Sequence, residues 1–215
     1  MMAKTTNPDY PITEETYVKD IFDGFADTIR DLKVNEYFTE AIDLIVFNAG
    51  RGKLITTGMG KAGIVMKNFS ALLCSLGISS TYLHPGEASH GDLGLVSPKD
   101  ILFVASTSGK TREVIECIEL ARNLGVKSVV SITSHTCSPV REKSDVVIDM
   151  GAIKETEISE GFDLPPTNSI LAMMAITDAL AIICAREMKF TCDDYLKFHH
   201  SGYLGQAAKE RSSRV

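Results

Sequence analysis

Ile101-Leu102-Phe103-Val104-Ala105-Ser106-Thr107-Ser108-Gly109-Lys110-Thr111 is the stretch that decides how this chain reads. Its opening residues are apolar without interruption, as in a strand buried on both faces of a parallel sheet. Hydroxyls, a glycine and a lysine follow, and from Thr111 to about Leu124 the pattern is helical. Working outward, the same alternation recurs. Strands are predicted over Lys53–Thr57, Ser79–Leu83, Asp100–Ser106, Ser128–Ile132 and Asp145–Ile148. Helices are predicted over Lys61–Leu76 and from Pro166-Thr167-Asn168-Ser169 through Ala185. Apolar strands separated by amphipathic helices predict one three-layer αβα sandwich with a five-stranded parallel sheet, and ligands beyond the carboxyl ends of its strands.

The flanks add helices. Thr13 to Asn48 carries two helical patterns, with Val18, Ile21, Phe22, Phe25 and Ile29 on the first and Phe38, Ala41, Ile42, Ile45 and Val46 on the second. Thr13-Glu14-Glu15-Thr16 is a capping sequence for the first, and Asn48-Ala49-Gly50 a stop for the second. A helical tail follows from about Asp193, and residues 1–12 read as a flexible arm.

Composition excludes several classes. The 215 residues are 44% hydrophobic and 23% charged, which is not a disordered or collagenous chain. A balance of 22 basic against 28 acidic residues gives net −6, and no basic cluster suits nucleic acid. No uninterrupted run of 18 apolar residues points to a membrane span, and no leader marks export. The five cysteines form no C-x-x-C pair; Cys74 and Cys184 stand in apolar settings that read as buried thiols, and the compartment read from this is the cytoplasm.

Chemistry is concentrated in loops. Gly58-Met59-Gly60-Lys61-Ala62-Gly63 joins a strand to a helix and suits an anion, with Lys61 facing it; the acidic residue that a dinucleotide needs is missing from Tyr82-Leu83-His84. Ser106 to Thr111 gathers three hydroxyls, Gly109, Lys110 and backbone N–H groups at a helix start, a setting for a phosphate monoester. Glu113, in that helix's first turn, is a candidate base near the bound phosphoester. His84 to Gly94 holds two histidines, a glutamate and an aspartate, but its His-x5-His spacing is not that of a structural zinc, and no metal is expected. His199-His200 near the C-terminus suits proton shuttling.

These segments in combination resemble the sugar isomerase (SIS) domain family. The resemblance rests on Thr57 to Gly63, on His84-Pro85 through Glu87-Ala88 to His90-Gly91-Asp92-Leu93-Gly94, and on the S-x-S-G-x-T-x-E run ending at Glu113. Pro166-Thr167-Asn168-Ser169 and His199…Gly202-x-Leu204-Gly205 follow in the order of the arabinose-5-phosphate isomerase subfamily. The serine-rich loop is common to all SIS proteins; the HPxEAxHGDLG segment is the specific part.

The resemblance implies a flavodoxin-like SIS domain over 13–210 that interconverts D-ribulose 5-phosphate and D-arabinose 5-phosphate through a cis-enediol(ate), with no cofactor. That reaction opens the route to 3-deoxy-manno-octulosonate for lipopolysaccharide or capsule. Carried over by position, the catalytic residues are Lys61, His90, Glu113, Glu155 and His199, with Glu113 and His199 both candidates for the carbon base. The substrate-binding positions are Gly58, Gly60, His84, Ser106, Ser108, Gly109, Lys110, Thr111, Thr167, Asn168 and Ser169; His84 matches a histidine that can also take inhibitory zinc. The resemblance further implies a homotetramer or dimer with sites at subunit borders, to which the apolar helices Val18 to Val46 would contribute. Lys110 and His200 depart from the small residue and proline expected there. Many relatives continue into paired CBS modules where this sequence ends at Val215, so control is expected at the active site, with a cytidylylated octulosonate as candidate feedback ligand. The competing readings are an isomerase of another ketose phosphate, a non-catalytic phosphosugar sensor and a dehydrogenase.

Overall fold

The computed structural model describes residues 13–212; the arm assigned to 1–12 lies outside the described residues. Two helices come first, α1 (Glu14–Arg30) and α2 (Glu36–Asn48). Strand and helix then alternate: β1 (Leu54–Gly58), α3 (Gly60–Ser75), β2 (Ser80–Tyr82), α4 (Pro85–Ala88), β3 (Ile101–Ala105), α5 (Arg112–Asn123), β4 (Ser128–Thr133), α6 (Pro139–Glu142) and β5 (Val146–Asp149). Helices α7 (Asn168–Glu187), α8 (Cys192–Phe198) and α9 (Gly202–Ser212) complete the chain. Thr13 does cap α1, accepting from the Thr16 N–H, and Gly50 follows α2 with φ +77°. The short α4 and α6, and a 3-10 turn over Asp92–Leu95, stand where the sequence pattern predicts only loop.

All five strands are parallel in the order β2-β1-β3-β4-β5. The chain runs outward from β1 to β2, then crosses back over β1 to start β3. The crevice between the carboxyl ends of β1 and β3 is therefore the topological switch point, where such sheets hold ligands. Alternate residues feed two cores. Leu54, Phe103, Ala105, Val130 and Ile132 pack under α2, α3 and α7, while Ile55, Leu102, Val104 and Val129 pack under α5. Burial on both faces is why these strands lack alternation. Phe103 meets Phe69 edge-on at 5.2 Å between ring centroids, and its truncation to alanine would cost about 3–5 kcal/mol.

Burial sorts the helices and the cysteines. Helix α1 buries no residue, leaving Tyr17, Val18, Phe22 and Ile29 exposed, whereas α2 buries Phe38, Ala41, Ile42 and Ile45. Helix α7, with mean hydropathy 1.8, is long and apolar enough to cross a membrane by length and composition, although no apolar run flags it. It is a core helix instead, packed against α1, α2 and α3. Cys117 and Cys184 are buried as predicted, but Cys74 lies on the outer side of α3 and is exposed, as is Cys137. Burial pushes the thiols of Cys117 and Cys184 up to about 11 and about 12.

Candidate active site

The first wall of the crevice is the turn from β1 into α3. Gly63 must be glycine: a Cβ there would fall inside contact distance of the Gly58 carbonyl oxygen and 2.7 Å from the Tyr82 hydroxyl. Tyr82 donates to that same Gly58 carbonyl at 2.7 Å, and Thr57 Oγ1 donates to the Leu83 carbonyl at 2.8 Å. The turn is thus tied to the end of β2, with Lys61 exposed at the start of α3.

The second wall is the turn from β3 into α5. Gly109 adopts φ +62°, and a Cβ there would collide with the Ser138 hydroxyl. Its N–H donates to Ser106 Oγ at 3.1 Å, Ser106 Oγ lies 3.3 Å from Thr111 Oγ1, and the Lys110 N–H donates to Ser108 Oγ at 3.2 Å. Short polar side chains and N–H groups converge on a helix N-terminus, which attracts a dianion.

The third wall comes from far along the chain. Glu155 reaches the N-terminus of α7, where its Oε2 accepts from the N–H groups of Thr167 and Asn168, both at 2.7 Å. The Ser169 N–H stands 3.3 Å from both carboxylate oxygens. First-turn N–H groups have no intrahelical partner, so the carboxylate caps them and meets the favourable end of the helix dipole. Oε2 is anchored, and Oε1 keeps only the long contact to Ser169. The Ser169 hydroxyl is fully buried without a hydrogen-bond partner.

These walls enclose a cavity of about 370 Å³ lined by Lys61, Ser106, Ser108, Thr111, Glu155 and Ser169, with Thr107 and His135 alongside. That volume suits a small ligand. His135 was missed by the sequence reading; it follows β4, and the rule that ligands lie beyond strand carboxyl ends would have found it.

Other predicted residues stand elsewhere. Gly58, Gly60 and Gly109 shape the two turns without lining the cavity, and exposed Lys110 and Thr167 do not line it either. Asn168 is turned away, its side chain bonded to Thr28 and Thr156. His84, its Nδ1 buried and unpartnered, and exposed His90 flank α4, which packs on α5, the helix whose first turn carries Glu113. None of these three lines the cavity.

His199 ends α8, its ring stacked on Tyr195 at 3.8 Å and its Nδ1–H donating to the Tyr195 carbonyl. Its neighbour Phe198 packs over Gly77, beyond the far end of α3 from Lys61, about 22 Å away at the helical rise. The five catalytic candidates are therefore not gathered by a single chain: Lys61 and Glu155 meet, and the other three do not. Among the described residues, no group of three or more His, Cys, Asp or Glu is placed to hold a metal.

The SIS domain profile matches residues 49–183, spanning the sheet and most of α7. The chain belongs to the SIS domain family. The chain is 38% identical over 165 residues to arabinose 5-phosphate isomerase KpsF of Escherichia coli, covering 77% of this chain and 51% of that protein. It is 34% identical over 174 residues to arabinose 5-phosphate isomerase KdsD of Pseudomonas aeruginosa, covering 81% and 52%. The chain thus spans about half the length of the curated relatives it matches. Among solved structures, a putative phosphosugar isomerase involved in capsule formation from Bacteroides fragilis superposes with TM-score 0.84 at 36% identity, covering 89% of this chain and all of that one. An Escherichia coli CFT073 protein solved in complex with arabinose 5-phosphate shares the SIS fold at TM-score 0.78 and 24% identity, covering 87% of this chain and all of that one.

Proposed function

We propose that this SIS domain is an aldose–ketose isomerase interconverting D-ribulose 5-phosphate and D-arabinose 5-phosphate. One observation carries the reading: a single cavity joins a hydroxyl-lined anion site to a lysine and a carboxylate. The names of the curated relatives supply the substrate. The phosphate sits on Ser106, Ser108 and Thr111, and the buried Ser169 hydroxyl donates to the sugar. Lys61 stabilises negative charge developing on the carbonyl oxygen.

We assign the carbon base to Glu155, because a base must come within hydrogen-bond reach of the proton it removes. Oε1 takes the proton from C1 of the ketose, the electron pair moves toward the carbonyl oxygen to give the cis-enediolate, and the same proton returns to C2. Glu113 as base rests on its place in the first turn of α5 and on the family resemblance, but it does not line the cavity. His199 exchanges protons between O1 and O2 when supplied by a neighbouring copy in a dimer or tetramer, a reading supported by its distance from Lys61 and by the exposed apolar side of α1.

The reaction belongs to a cytoplasmic route toward 3-deoxy-manno-octulosonate. A cytidylylated octulosonate is the proposed feedback ligand; a recess of about 450 Å³ beside the cavity, sharing Thr107 and His135, supports it. Calorimetry showing no heat with that nucleotide sugar would remove it. The isomerase reading is tested by NMR of D-ribulose 5-phosphate in chelator, beside fructose 6-phosphate. Formation of arabinose 5-phosphate is expected, and an unchanged spectrum would refute the assignment.

A further inference from the structure

The side chain of Asn168 forms a relay. Its Nδ2 donates to Thr28 Oγ1 on α1 at 2.8 Å, and its Oδ1 accepts from Thr156 Oγ1 at 2.7 Å and from Thr167 Oγ1 at 3.0 Å. Thr28 Oγ1 in turn donates to the Gly24 carbonyl at 2.9 Å. Asn168 is only 6% exposed, so these bonds face little competition from water.

Thr156 directly follows Glu155, and Asn168 supplies one of the N–H groups that anchor the Glu155 carboxylate. One residue therefore holds the carboxylate through its backbone and the adjoining chain through its side chain. The segment from Gly151 to Thr167 contains no regular element beyond a single bridge between Ser159 and Phe162. It relies on such anchors, including the Tyr17 hydroxyl, which donates to the Glu157 carbonyl at 3.1 Å.

We propose that Thr28 and Asn168 are positioning residues for Glu155, making the N-terminal helix part of the isomerase machinery although it contributes no side chain to the sugar cavity. The inference rests on the isomerase reading for its catalytic consequence. A misplaced base loses rate steeply, while phosphate binding on Ser106 to Thr111 is untouched.

The experiment compares Thr28→Val, Thr28→Ser and Asn168→Ala in the full chain. Thr28→Val and Asn168→Ala should each lower kcat by about tenfold or more with KM within about twofold. Thr28→Ser, which keeps the hydroxyl, should restore kcat to within about twofold of the parent. In a Glu155→Gln background, adding Thr28→Val should cost nothing further, since both act through one carboxylate. Full activity of Thr28→Val, a raised KM for Asn168→Ala, or a further tenfold loss in the Glu155→Gln background would overturn the proposal. Amide exchange supplies a readout that needs no turnover: Thr28→Val should speed exchange at Thr167, Asn168 and Ser169 while the sheet stays protected. Unchanged exchange there would also overturn it. A parent protein inactive on D-ribulose 5-phosphate would refute the isomerase assignment, and the exchange result would still decide the relay.

Discussion

The Tyr82 hydroxyl donates a 2.7 Å hydrogen bond to the Gly58 carbonyl, joining the end of β2 to the turn that presents Lys61. The ring is half-buried with Lys67 above it at 5.0 Å, and burial raises the phenol above its ordinary range. Tyr82→Phe leaves the ring and removes the bond. Thermal unfolding should show a loss of about 1 kcal/mol, with a fall in kcat as Lys61 loosens. Wild-type stability and rate in this variant would show that the bond does not hold the turn.

Ser108→Ala removes a proposed donor to the phosphate. A hydrogen bond to a charged group is worth about 1.5–3 kcal/mol, so KM should rise by about tenfold or more while kcat moves less. Steady-state kinetics decide it, and an unchanged KM would remove the phosphate from this loop.

Gly109→Ala places a Cβ against the Ser138 hydroxyl at a backbone angle of +62°. Backbone strain and collision together should destabilise the protein by about 2 kcal/mol or more in denaturant titration. The loop should also lose affinity for inorganic phosphate.

Glu155→Gln keeps a hydrogen-bonding group near α7 but removes the proposed base. We expect kcat to fall by about 10²–10⁴ with binding nearly intact. Glu113→Gln, at a residue that does not line the cavity, should lose far less. The reverse order, measured by exchange of the C1 proton with solvent, would transfer the base to Glu113.

At the amino ends of the strands, Asp100 accepts from the Lys53 N–H at 2.8 Å, the Ser97 N–H at 2.8 Å and Lys53 Nζ at 3.0 Å. Burial alone would raise its carboxyl, but these bonds outweigh that and hold it below the usual carboxylate range. Because the folded-state value is depressed, its contribution is complete above about pH 4 and vanishes as pH falls through the lower, folded value. Asp100→Asn should lower stability at pH 7 by about 1–3 kcal/mol and flatten the acid limb of the stability profile. An unchanged acid limb would contradict the linkage.

Much of the fold was legible because it is local. The apolar strands β1, β3 and β4 announce a sheet buried on both sides, Thr13 and Gly50 punctuate their helices, and the hydroxyls after β3 mark a polar loop at a helix start by composition alone. His135 was equally within reach, since it follows β4 at the same edge. The side of α3 on which Cys74 lies was not, because the helix is apolar enough to leave its outward side ambiguous.

The amino-acid sequence by itself determined the αβα alternation, the two glycine-bearing turns after β1 and β3, and the family, because short-range periodicity and steric demands at glycine are written in neighbouring residues. Only the tertiary structure decided that β1 lies beside β3, that Glu155 reaches the same cavity as Lys61, and that His199 and Glu113 stay out of it. Strand order and the docking of α7 depend on long-range packing, whose energy is spread over side chains distant in the chain, so spacing along the sequence carries no direct record of who meets whom.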